Sequence, residues 1–181
     1  MKPDIREEIA IPKGVDFAIQ GDTVTVICQK NEIKKHLEMQ GISIVKDSEK
    51  IVVSVKKASK RDKTLVYTNI ARIKNFLEGV QKPYVYTMKI CYSHFPMNVA
   101  VEKGRLVIKN FLGEKKPREL AIMNGVTVKV AAQDVTVESA DLELAGQTAS
   151  EIELLTRRKG GRDLRVFQDG IYITEKGERT S

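Results

Sequence analysis

The chain alternates apolar and polar residues in short runs, and does so in two similar halves. Val15 to Gln20 alternates and stops at Gly21-Asp22, and Thr23-Val24-Thr25-Val26-Ile27 alternates again. Two period-two runs around a polar turn predict a β-hairpin, because successive side chains of a strand face opposite sides of the sheet. Ile42 to Val45 and Ile51 to Val55, on either side of Asp47-Ser48-Glu49-Lys50, predict a second hairpin. Further on, Val99 to Glu102 and Leu106 to Ile108 flank Lys103-Gly104, and Val126 to Val130 and Val135 to Val137 flank Ala132-Gln133-Asp134. The period then lengthens twice to that of a helix. Val66, Ile70, Ile73 and Leu77 share one face, with Gly79 as the expected stop; Leu142, Ala145, Ala149, Ile152 and Leu155 share another. Asp141 precedes that second helix, Gly160-Gly161 follows it, and Glu151 and Glu153 fall off its stripe. Tyr84 to Cys91 reads as an extended connection into the second half, and Lys30 to Gln40 as a charged loop.

The two halves match at a fixed spacing. Ile11-Pro12-x-x-Val15 returns as Phe95-Pro96-x-x-Val99, Gly41-Ile42-Ser43-Ile44 as Gly125-Val126-Thr127-Val128, Ile51 as Val135 and Thr64 as Thr148, always 84 positions on. A constant offset over four separated blocks implies duplication, and the period suits a small complete domain instead of a solenoid unit. The expected fold is α+β, with two tandem duplicated domains, each an antiparallel sheet with one helix packed on one face. The boundaries fall at 1–82 and 83–181, the second copy carrying a basic C-terminal extension.

Composition narrows the function. Of 181 residues, 41% are apolar and 6% aromatic, so the cores must be aliphatic. The net charge of +7 favours a polyanionic partner. Cys28 and Cys91 make no disulfide framework, which points to a reducing compartment. No run approaches the roughly 20 apolar residues of a membrane span, and the start of the chain lacks a signal peptide's apolar run. The expected location is cytoplasmic.

Candidate chemistry is sparse. His36 and His94 have no Cys or His at metal-ligand spacing. Cys91 stands three residues before His94, but one thiol near one imidazole carries no geometry, and a buried thiol with a surface imidazole is the plainer expectation. No phosphate-cradling glycine loop occurs, since Gly160-Gly161 follows a helix instead of opening one. No catalytic residue, metal ligand, cofactor or small-molecule substrate is expected.

Three basic groups remain. Lys56 to Lys63 and Arg157 to Arg165 each hold five cations and one carboxylate; Lys109, Lys115, Lys116 and Arg118 form a looser third. Residues 1–90 carry 17 of the 31 cations and 11 of the 24 carboxylates, so net charge favours the first half. Guanidinium clustering favours the second, because arginine pairs with phosphate bidentately and stacks on bases, whereas the lysine-rich first cluster suits a solvated face. Phosphate contacts act within a Debye length of roughly 8–10 Å, so local clustering outweighs the total.

Asn110-Phe111-Leu112-Gly113-Glu114-Lys115-Lys116-Pro117-Arg118 resembles a loop of the universal L-six family of large-subunit ribosomal proteins. Gly146-Gln147-Thr148-Ala149-Ser150-Glu151-Ile152 is similar to that family's second-domain helix. Arg162-Asp163-Leu164-Arg165-Val166-Phe167-Gln168-Asp169-Gly170-Ile171-Tyr172 resembles its archaeal and eukaryotic branch, not the shorter bacterial ending. The resemblance covers nearly the whole chain and is strongest from Tyr92 to Tyr172. It implies two duplicated α+β domains, no catalysis and no cofactor. It also implies binding to large-subunit ribosomal RNA, mainly through the second domain, near the stalk base, the sarcin-ricin loop and the translation-factor site. Neighbouring ribosomal proteins are then the other partners, with no membrane.

The expected RNA contacts are Lys109, Lys115, Lys116, Arg118, Arg157, Arg158, Lys159, Arg162 and Arg165. Two alternatives stand beside this: a free RNA-binding assembly or regulatory factor, and a small nucleic-acid enzyme, for which no convergent polar set exists. Gly160 to Arg165 is expected to order only on RNA, and Glu175 to Ser181 to lack any apolar anchor.

Overall fold

In the computed structural model, which describes residues 3–28, 31–47, 50–157 and 165–179, the alternating runs form antiparallel strands. The chain divides into two units, Met1–Lys82 and Pro83–Ser181. The first holds β1 (Ile5–Ala10), β2 (Asp16–Gln20), β3 (Thr23–Cys28), β4 (Asn31–His36), β5 (Ser43–Asp47), β6 (Lys50–Val55) and α1 (Lys60–Gln81). The second holds β7 (Tyr84–Cys91), β8 (Asn98–Glu102), β9 (Arg105–Lys109), a 3-10 turn at Phe111–Gly113 and β10 (Arg118–Ala121). It continues with β11 (Val126–Ala131), β12 (Asp134–Ser139), α2 (Leu142–Leu155) and β13 (Gly170–Arg179).

Strand order is β1-β6-β5 and β2-β3-β4 in the first unit, and β13-β7-β12-β11 and β8-β9-β10 in the second. Apart from β13 the orders are the same, as duplication requires. The single sheet expected per copy resolves into two. The turns repeat as well. Ile42 N–H donates to Met39 O at 3.0 Å and Val126 N–H to Met123 O at 3.2 Å. Gly41 and Gly125 occupy the same place in these turns with φ of 72° and 84°, a region where a side chain would be strained.

Ser59 caps α1 through a reciprocal pair: Asp62 N–H donates to Ser59 Oγ, and Ser59 N–H donates to Asp62 Oδ2. Val66, Ile70, Ile73 and Leu77 are buried as their spacing predicts. Gly79 does not end the helix; it is buried inside it. The stop comes at Lys82, which precedes Pro83 and is extended, because proline crowds a helical residue before it. In α2, Asp141 caps by accepting from Glu143 N–H at 2.9 Å, and Ala145, Ala149 and Ile152 are fully buried. They pack toward β7, β12 and β13. Met88, Leu106, Ile108, Phe111, Val135, Val137 and Ile171 belong to the same core.

Three expectations are corrected. Tyr84–Cys91 is an internal strand, between β12 and β13, and not a connection. Cover on both edges and partial cover on both faces blur its alternation. His36 and most of the Lys30 to Gln40 loop lie in or beside β4, which buries Ile33 and is followed by buried Leu37. Glu175 to Arg179, expected to be unanchored, continues β13 against β7 through two register irregularities. Ladder hydrogen bonds hold that segment without apolar side chains. Gly160 to Leu164, Thr180 and Ser181 lie outside the described residues. Among the described residues, no helix is long and apolar enough to cross a membrane.

Candidate nucleic-acid interface

Relative to the first unit, the second carries two additions. β3 and β4 are separated by two residues, whereas eight separate β9 from β10. The first unit also ends at its helix, whereas the second continues into Arg157 and beyond.

The longer connection is built as a rigid loop. Asn110 and Leu112 adopt positive φ, 61° and 49°, and Phe111 between them is buried. Asn110 Nδ2 donates to Pro96 O at 3.0 Å, and the Phe95 ring lies 3.6 Å from where a side chain on Gly113 would begin. Such backbone conformations persist only when surrounding contacts hold them. Lys115 and Lys116 are exposed on this loop.

Arg118 fixes the loop to the helix. Its guanidinium takes Glu114 bidentately, through Nε at 2.8 Å and Nη2 at 2.5 Å, and its Nη1 donates to Leu155 O at 2.6 Å. It also stacks on Phe111, 4.2 Å from the ring centroid. Leu155 O belongs to the last turn of α2, where carbonyls lack helical partners and a cation opposes the helix dipole. The Arg118 hydrogen bond holds the Glu114 carboxyl below its ordinary range. Three N–H groups of Arg118, expected as a phosphate contact, are therefore taken up inside the protein.

The second addition is pinned on both sides. Thr156, buried at the end of α2, donates from Oγ1 to Glu153 O and accepts Ile171 N–H at 3.0 Å. Asp169 is buried and accepts from Ser93 N–H at 3.0 Å, Ser93 Oγ at 3.2 Å and His94 N–H at 3.3 Å, with His94 Nδ1 at 3.1 Å. Burial alone would raise the Asp169 pKa. The His94 hydrogen bond and the backbone donors of Ser93 and His94 together outweigh it and hold the carboxyl below its ordinary value. His94, read as a plain surface imidazole, is thus part of a clamp 75 positions away from its partner in sequence. Beside it, Glu153, Leu154, Thr156, Arg157, Gln168, Asp169 and Tyr172 line a cleft of about 200 Å³.

The expected contacts thus sort by surroundings. Arg118 ties the Lys115–Lys116 loop to the helix end two residues before exposed Arg157, so this loop and Arg157 lie at the same end of the helix. Lys109 pairs with Glu102 at 3.0 Å, both about half exposed, an interaction worth about 0–1 kcal/mol that a phosphate can displace. Arg165 is exposed. Arg158, Lys159 and Arg162 lie outside the described residues. In the first unit, Lys60, Arg61 and Lys63 sit in the opening turns of α1. Sequence reasoning missed Thr156 and Asp169, whose partners are remote in the chain and leave no local signal. Among the described residues, no group of three or more His, Cys, Asp or Glu could hold a metal ion.

Comparisons with known proteins agree with this layout. The family model for ribosomal protein L6 matches residues 95–170, which take in the β9–β10 loop and the second addition as far as the start of β13. A large ribosomal subunit protein uL6 from Methanococcus vannielii is 44% identical over 172 residues, covering 95% of this chain and 94% of the relative. That from Sulfurisphaera tokodaii is 45% identical, covering 94% and 91%. That from Methanothrix thermoacetophila is 39% identical, covering 97% and 99%.

Proposed function

Because the chain belongs to the ribosomal protein L6 family, whose members are structural, non-enzymatic components of the large ribosomal subunit, we propose that it binds the RNA of that subunit through its second unit. Lys109, Lys115, Lys116, Arg157, Arg158, Lys159, Arg162 and Arg165 make the contacts, and Arg118 positions them. The place is beside the stalk base and the translation-factor site, next to other ribosomal proteins, in ribosomes of the cytoplasm.

One observation supports this: the Arg118 bridge from the Glu114 loop to Leu155 O, which brings the Lys115–Lys116 loop to the end of α2 that runs on into Arg157. A platform fixed before binding loses less conformational freedom on association than a loose one. Its cations suit phosphates and the shape of A-form RNA, whose narrow major groove side chains cannot read. Sedimentation with large subunits after a high-salt wash tests it, together with nuclease protection of the bound RNA. Release of the chain by the wash would favour a free assembly or regulatory factor.

A further inference from the structure

The two units differ at one sheet edge. In the second, the outer side of β7 is taken by β13, antiparallel, with Ile171 opposite Ile90 and Ile173 opposite Met88. Its duplicate β1 stands at the edge of its sheet, and among the described residues it pairs with β6 alone. The registers correspond: Ile9 faces Ile51 as Met88 faces Val135, with Val135 84 positions after Ile51 and Met88 79 after Ile9. By that 79-residue offset, distinct from the 84 that relates the later blocks, Ile9 occupies the place of Met88, and Ile11, one residue beyond β1, that of Ile90. Both copies build the same template, and β13 fills it in only one. A strand edge presents a row of outward N–H and C=O groups, and extended peptides add to such edges through them.

The charges along β1 decide between occupants. Glu7 and Glu8 stand there, with Asp4 just before the strand, against Arg6 and the Lys50 that pairs with Glu8 at 3.0 Å, in a chain whose net charge is +7. The Arg6 and Glu8 side chains are 70% and 44% exposed. The Lys50 hydrogen bond holds Glu8 below its ordinary carboxylate range, so it stays anionic. Such an edge repels a phosphodiester and attracts a basic peptide.

We propose that the outer edge of β1 accepts, antiparallel, an extended basic segment of a neighbouring protein of the large subunit. That segment places two aliphatic residues, two positions apart, opposite Ile11 and Ile9, as Ile171 and Ile173 lie opposite Ile90 and Met88. A lysine follows on their C-terminal side, beside Glu8 and Glu7.

The proposal rests on the chain being built into the large subunit, so the test compares the free chain with large subunits that contain it. Hydrogen exchange is read amide by amide from Ile5 to Ala10. In the free chain, alternate amides aimed at β6 exchange slowly and the others fast. In the subunit the fast set is expected to slow by about tenfold or more. A carbodiimide, which joins carboxylate to amine without a spacer, is expected to link Glu7 or Glu8 to a lysine of another protein. A set that stays fast in subunits containing the chain overturns this proposal alone. So does uniform slowing of both sets without a protein cross-link, the sign of RNA cover, or a cross-link to a second copy of this chain. Absence of the chain from purified large subunits overturns the functional reading and this proposal with it.

Discussion

β1 and β7 hold the same place in two copies of one fold, yet one is an edge and the other is interior. The difference lies outside the repeated part. β13 follows the last repeated element, closes the β7 edge and draws the chain end back to Thr156. The β9–β10 connection, two residues long in its first-unit counterpart, becomes a loop latched to the same helix end. Duplication supplied the scaffold. The unrepeated segments lie at a hairpin tip and after the last helix, which is where loops tolerate insertion.

That contrast can be broken most forcefully at β13. Ile171→Ala removes a fully buried side chain from the second core, at an expected cost of about 2–5 kcal/mol. Urea melts with residue-resolved hydrogen exchange are expected to show the second unit unfolding earlier, with α1 and β6 unmoved. Equal destabilisation of both units would mean that the copies do not hold separate cores.

Arg118→Ala comes next. It strips bidentate and carbonyl hydrogen bonds from a partly buried cation, with an expected loss of about 1.5–3 kcal/mol per such charged interaction at most. RNA affinity is expected to fall while its salt slope stays the same, because a latch and not a phosphate contact is lost. A slope that flattens in Arg118→Ala would return this residue to the RNA surface.

A smaller effect is expected from the double replacement Lys115→Ala with Lys116→Ala. Affinity for the RNA fragment should fall, and the logarithmic salt slope should flatten by roughly 0.7–0.9 for each lost phosphate contact. The matched replacement of Lys60 and Arg61 in the first unit should leave the slope unchanged, as filter binding over a salt series can show.

The smallest effect concerns acid. Asp169 is buried in the second unit and its folded pKa lies below its ordinary 3.8. Its contribution to stability is therefore complete above that value and lost as pH falls through the folded one. The first unit's lowered carboxyl, Glu8, is exposed and has little to lose. Acid titration below about pH 4 should soften the second unit more than the first, and Asp169→Asn should remove the difference.

Much was legible in the chain itself. Strict alternation announced the hairpins, a 3.6-residue stripe announced both helices, and the fixed 84-residue offset announced the duplication before any contact was known. Ser59-x-x-Asp62 also marked the start of α1, and went unread beside the lysines around it. These signals are local: each depends on neighbours a few residues away, which share one face of one element. The basic groups were visible too, but not their surroundings. Arg118 looked like its neighbours Lys115 and Lys116 until Glu114, Phe111 and Leu155 O closed around it. His94 is the surface imidazole expected, 61% exposed, but its partner Asp169 comes from far along the chain. The polar tail looked unanchored until β7 offered it a ladder. Burial, ion pairing and edge pairing are set by groups that are distant in sequence and meet only when the chain packs. Composition and period fixed the elements and the duplication, while tertiary contact decided which cations pair within the protein and, among the described residues, which strand lies at a sheet edge.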